Sequence, residues 1–120
     1  MEDNNFRIEN AIIKDISISM EDHGCLTFLV FLSGGSWSQG FGGYQIGRCS
    51  LGSKKFTTEN GKGLEAMMHI MNVVGVSKWE SLKGKYVRCK TYGYASGSYI
   101  GEIGNILEDK WFNIREFFNS

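Results

Sequence analysis

Apolar and polar positions alternate from Ile12 to Met20, with Ile12, Ile16, Ile18 and Met20 on one face and Ile13, Asp15, Ser17 and Ser19 on the other, which predicts a half-buried first strand. Glu21-Asp22-His23-Gly24 supplies turn residues, and the β-branched and aromatic run Cys25 to Leu32 completes a hairpin. From Ser33 to Tyr44 glycines interleave with Trp37, Phe41 and Tyr44, a pattern that predicts an irregular third strand rather than a loose linker. The polar stretch Gly47 to Gly61 predicts a loop.

The period then changes. Leu64, Met67, Met68 and Met71 fall at i, i+3, i+4, i+7, and Gly75 follows where a left-handed cap belongs, so a helix is expected from Gly63 to Val74. Ser77-Lys78-Trp79-Glu80 has capping-box spacing and starts a short helical turn that Gly84 ends. Lys85 to Tyr94 alternates Tyr86, Arg88, Lys90, Tyr92 and Tyr94 against Val87, Cys89 and Thr91. A Ser96-Gly97 turn leads to a partner strand from Ser98 to Leu107. Asn113 to Glu116 again has cap spacing, with Ile114, Phe117 and Phe118 as the apolar stripe of a C-terminal helix. The order β-β-β-α-β-β-α predicts an α+β fold: an antiparallel β-sheet of about five to six strands with two to three helices packed on it.

The chain has 120 residues, which predicts a single domain over 1–120. Lys+Arg and Asp+Glu balance at 13 each, which removes any global field for a long nucleic acid but leaves room for a small anionic ligand. Sixteen glycines and no proline leave turns and close backbone approaches to glycine. Cys25, Cys49 and Cys89 are odd in number and lack C-x-x-C spacing, so neither a disulfide framework nor zinc is expected. No signal peptide and no membrane span is read, and no cofactor or metal is expected.

Catalytic chemistry finds little support. There is no nucleophile elbow, Glu108 and Asp109 are adjacent and are expected to point to opposite faces of a strand, and Gly40-Phe41-Gly42-Gly43 lacks the G-x-G-x-x-G spacing. His23 falls in a turn and His69 is offset from the apolar stripe, facing solvent. A non-enzymatic binding protein is the expectation. Two stretches stand out. Gln39 to Tyr44 can bring bare backbone N–H groups and aromatic faces to a ligand, with Gln39 reading an amide or base edge; equally, glycine can kink a strand there for packing. Tyr86, Arg88, Lys90, Tyr92 and Tyr94 form an array suited to phosphate pairing and base stacking, or a plain solvated face. Asn105, polar on a strand of Ile and Gly, needs a partner or an open pocket, which tilts the reading toward a site.

Five strings in one order span nearly the whole chain: Glu21-Asp22-His23-Gly24; Gln39-Gly40-Phe41-Gly42-Gly43-Tyr44; Val73-Val74-Gly75-Val76 with Trp79-Glu80; Gly84-Lys85-Tyr86-Val87-Arg88; and Gly104-Asn105-Ile106-Leu107-Glu108-Asp109-Lys110-Trp111-Phe112. Together they resemble the phage Thoeris anti-defence 1 family. That resemblance implies a sponge in the cytoplasm of an infected bacterium, sequestering cyclic ADP-ribose isomers without cleaving them. It also implies binding of cyclic oligonucleotides in some members, so that Thoeris or CBASS immunity is blocked. It further implies a homo-oligomer, dimer or hexamer, with ligand sites at subunit interfaces. Carried onto this chain, the cyclic ADP-ribose pocket would draw on Trp79, Arg88, Glu102 and Asn105, beside Lys90 on the same hairpin. A second site would use Gln39, Gly40, Gly42 and Gly43 with a basic residue from Arg48, Lys54 or Lys55. The family carries Arg near those lysines and near Asn105, departures that bear on ligand preference. The rival expectations are a protein-protein inhibitor of a host defence enzyme and an enzyme that degrades the signal.

Overall fold

The computed structural model describes residues 6–50, 55–58, 61–93 and 97–120. Seven antiparallel strands form one sheet in the order β4-β3-β2-β1-β5-β6-β7: β1 (Phe6–Asp22), β2 (Cys25–Ser33), β3 (Ser38–Cys49), β4 (Phe56–Thr58), β5 (Tyr86–Tyr92), β6 (Tyr99–Asn105) and β7 (Trp111–Asn113). Two helices, α1 (Lys62–Val74) and α2 (Ile114–Asn119), and a 3-10 turn at Trp79–Leu82 complete the α+β fold. No helix among the described residues is long and apolar enough to cross a membrane.

The strand count exceeds the sequence expectation because two short segments join the sheet. Phe56–Thr58 pairs with the end of β3 inside a stretch read as loop, and Trp111–Asn113 pairs with β6. Three-residue strands carry too little alternation to register as a period. The first strand also starts earlier, at Phe6, because Phe6 to Ile12 pairs with β5 from Tyr92 back to Tyr86. Glu108 and Asp109 lie in bends between β6 and β7, not on a strand. Tyr94, Ser96 and Lys54 fall outside the described residues.

Alternation assigns the sheet two unlike faces. Ala11, Ile13, Phe28, Val30, Leu32, Val87, Cys89 and Ile103 point to the face that α1 and the 3-10 turn cover, and all are almost wholly buried. Tyr86, Arg88, Lys90 and Tyr92 point the other way, opposite Ile12, Asn10, Ile8 and Phe6 of β1. This second face is open: Ile8 is 52 % exposed and Tyr86 63 %. The sheet also curls, since β3 and β6 are separated by three strands and yet Gln39 Nε2 donates to Ser98 O at 3.4 Å.

α1 turns a different stripe inward from the one its spacing predicts. Gly63, Ala66, Met67, Ile70 and Val73 are buried, while Leu64 and Met68 are mostly exposed. Gly63 decides this rotation, because a Cβ there would meet Gln45 O at 3.0 Å, so the helix seats against β3 on its glycine side. Its end is the expected one: Gly75, at φ 93°, donates its N–H to Met71 O. The 3-10 turn, by contrast, has Lys78 at its N-cap position and no side-chain cap, so Ser77 does not form the predicted box. At α2 the cap is real: Asn113 Oδ1 accepts from Glu116 N at 3.0 Å, and its Nδ2 donates to the Glu116 carboxylate.

Candidate functional site

The five residues assigned to the first pocket do not converge within one chain. Arg88, Lys90 and Glu102 share the open face, where Lys90 pairs with Glu102 across the β5–β6 ladder at 3.5 Å. Trp79 and Asn105 lie on the other side of the sheet. Trp79 meets the core ring of Phe28 edge-on at 6.1 Å, and its buried Nε1 has no partner among the described residues. Asn105 pairs with Val87 and faces α1, so the tilt toward an open pocket there is corrected: its partners are internal. Nδ2 donates to Val73 O at 2.8 Å, and Oδ1 accepts from Leu107 N and Glu108 N at 2.9 and 2.8 Å. Asn105 ties the end of β6 to the end of α1.

The open-face cations are likewise engaged. Arg88 Nε donates to Asn105 O at 2.7 Å and its Nη2 to Glu108 O at 2.8 Å, while the guanidinium lies over Trp111 at 4.8 Å. Lys90 sits between the rings of Trp111 and Phe6. Both aromatic covers depend on glycine: a Cβ at Gly104 would run into Trp111, and one at Gly101 into Tyr92, each at 2.5 Å. Tyr92 donates to Glu102 Oε2 at 3.3 Å; burial and then the Glu102 charge push its phenol above the ordinary value.

The second stretch fares differently. Gln39, Gly40, Gly42 and Gly43 all line a cavity of about 300 Å³ at the seam where β3 approaches the start of β6 and α2. Gly42 and Gly43 also kink β3, with φ 117° and 83°, beside a register shift between Thr27 and Leu29. The packing reading and the pocket reading are compatible, because the kinked glycines also stand among the residues that line the cavity. Of the basic residues expected here, Arg48 and Lys55 do not line this cavity, and Lys54 lies outside the described residues. Arg48 is exposed near the far end of β3, roughly 15 Å along the strand from Gly43 at the usual rise per residue. Lys55 is exposed, and its carbonyl accepts from Ser50 N beside the short β3–β4 pair.

Arg115 supplies the cation instead. Its guanidinium lies over Tyr99 at 4.3 Å, and Tyr99 in turn stacks on Tyr92 at 5.6 Å, so three layers hold it flat at the cavity wall. Among the described residues its N–H groups make no hydrogen bond or ion pair. Tyr44, also in the wall, stacks on Phe118 at 4.0 Å and fastens α2 across the seam. Arg115 was legible only as a charge in the first turn of a short helix. No strand or helix period connects it with Gly42.

Gln39 also lines a second cavity of about 310 Å³. Its wall holds Arg7, Glu9, Trp37 and Thr91. His69 is exposed on α1, as expected, yet stacks on Phe112 at 5.0 Å. Among the described residues no three His, Cys, Asp or Glu side chains gather as metal ligands. The three cysteines are free thiols. Neither a family model nor a curated protein matches the sequence.

Proposed function

We propose that this chain binds and sequesters an adenine-containing cyclic nucleotide of the cyclic ADP-ribose type, in the seam between β3, β6 and α2, without cleaving it. The observation that carries this reading is Arg115, a guanidinium stacked on Tyr99, free of ion pairs among the described residues and facing glycine backbone. A guanidinium so held matches a pyrophosphate, which it meets with two parallel N–H donors. Glycine backbone without side chains and the amide of Gln39 in the cavity wall suit the edges of a base. The resemblance to the Thoeris anti-defence 1 family supports the same ligand class, and with it a phage protein that acts in the infected bacterium by withdrawing an immune signal. Cyclic oligonucleotides of related systems fall within the same chemistry.

The open face favours a role for subunit contact. Phe6, Ile8, Phe31 and Tyr86 are each at least 40 % exposed on it, around the Lys90–Glu102 pair and an Arg88 engaged by carbonyls. A homo-oligomer would cover these rings, and the rival reading, a protein-protein inhibitor, would use the same surface.

Calorimetric titration with cyclic ADP-ribose isomers, followed by boiling and chromatography, tests the proposal. Tight binding with the ligand recovered intact is expected, and Arg115→Ala weakens it. An altered product makes the chain an enzyme; absence of heat with every isomer moves the reading to the protein partner.

A further inference from the structure

The second cavity that Gln39 lines has a chemistry of its own. Glu9 and Arg7 reach it from β1, paired with Cys89 and Thr91 of β5. The Glu9 carboxylate is held at both oxygens: Oε1 accepts from Trp37 Nε1 at 3.2 Å, and Oε2 lies 3.7 Å from Arg7 Nε. Each oxygen keeps accepting capacity beyond that single contact. The indole is packed against Gly34, where a Cβ would run into it, so Trp37 is a fixed wall.

Thr91 completes the wall and is 6 % exposed, and among the described residues its hydroxyl has no hydrogen-bond partner. A buried hydroxyl left unpaired is costly and calls for an explanation. The strand is irregular at this point, since the β5–β6 register shifts between Lys90 and Thr91. Such bulges re-aim side chains beside functional sites.

We infer that Glu9, Trp37 and Thr91 form a subsite for a ribose cis-diol, adjoining the Arg115 anion pocket through Gln39. Two vicinal hydroxyls donate to the two carboxylate oxygens, as acidic residues do to ribose in dinucleotide sites. The Thr91 hydroxyl pairs with the sugar after a small adjustment, and the sugar's carbon face rests on the indole. The carboxylate repels phosphate from this side, and Arg7 beside it disfavours an ammonium, so a neutral polyol is the chemistry that remains. The inference deepens the nucleotide reading, because one ligand spanning Gln39 places phosphate at Arg115 and ribose at Glu9.

Binding is measured on the full chain with cyclic ADP-ribose and its 2′-deoxy analogues, and with adenosine against 2′,3′-dideoxyadenosine. The ribo forms are expected to bind about tenfold tighter or more, the size of hydrogen bonds to a charged acceptor. Glu9→Gln abolishes that preference. Thr91→Val reduces it severalfold in a chain that melts no lower than the parent, since it removes an unpartnered hydroxyl. Arg115→Ala weakens the cyclic ligand in both forms alike and leaves the adenosine preference intact. Equal binding of ribo and deoxy forms, or a preference that survives Glu9→Gln and Thr91→Val, overturns the diol subsite while the nucleotide reading stands. Adenosine selectivity without any binding of cyclic ADP-ribose supports the subsite and overturns the larger ligand. Binding of neither probe overturns both.

Discussion

The open face of the β5–β6 hairpin and the seam beside β3 both carry cations next to aromatic rings, but they differ in what remains for a ligand. On the open face, Arg88 gives donors to Asn105 O and Glu108 O, and Lys90 has Glu102 at 3.5 Å. At the seam, Arg115 lies over the Tyr99 ring and, among the described residues, makes no hydrogen bond or ion pair. A cation over a ring with its donors engaged fastens structure, whereas one with free donors at a cavity can take a new partner. Residue type alone does not separate the two; the acceptors nearby do.

The largest expected effect tests the fastening. Asn105→Ala removes three hydrogen bonds and leaves Val73 O, Leu107 N and Glu108 N without their partner, so the chain should lose about 3 kcal/mol in urea unfolding. The open face should loosen with it, because the turn that presents both carbonyls to Arg88 is held by that side chain. Arg115→Ala sharpens the contrast from the other side. Affinity for cyclic ADP-ribose should fall about 10- to 100-fold by calorimetry, while stability stays within about 0.5 kcal/mol. Arg88→Ala should do the reverse, lowering stability by about 1–2 kcal/mol with affinity little changed. If instead Arg88→Ala abolishes binding and Arg115→Ala does not, the ligand lies on the open face and the comparison is inverted.

The smallest effect at neutral pH concerns Cys89, between Arg88 and Lys90 but facing the core. Burial, and then the Glu9 charge, push its thiol from 9.0 to about 12. The folded value is raised, so its contribution to stability is fully present below pH 9 and is lost as pH rises from 9 toward 12. Unfolding free energies from urea titrations between pH 7 and 11 should therefore fall at the alkaline end, by at most about 1.4 kcal/mol per pH unit from this group. Cys89→Ala flattens that decline although it is less stable at pH 7. An unchanged slope removes Cys89 as its source.

Legibility in the sequence followed the range of each constraint. The alternation from Tyr86 to Tyr92, the Gly75 cap and the Asn113 cap were readable because each depends on neighbours within one turn or one strand. The α1 stripe was misplaced because Gly63, which counts as neither apolar nor polar in a period, sets the closest approach of that helix to β3.

For the candidate site, the chain by itself marked Gly40 to Gly43 as a place where glycine either kinks the strand for packing or brings backbone to a ligand. It also determined that Arg88 and Lys90 would share a face. Tertiary structure alone decided that Trp79 and Asn105 stand behind the sheet, through the register that pairs Asn105 with Val87 and the packing of Trp79 on Phe28. It alone brought Arg115 to Gly42, and Glu9 to Thr91, from distant parts of the chain. A period records which residues share a surface. What lies across from that surface is fixed by the curl of the sheet, and so whether a charge meets a carbonyl or an empty cavity is not written in any local run of residues.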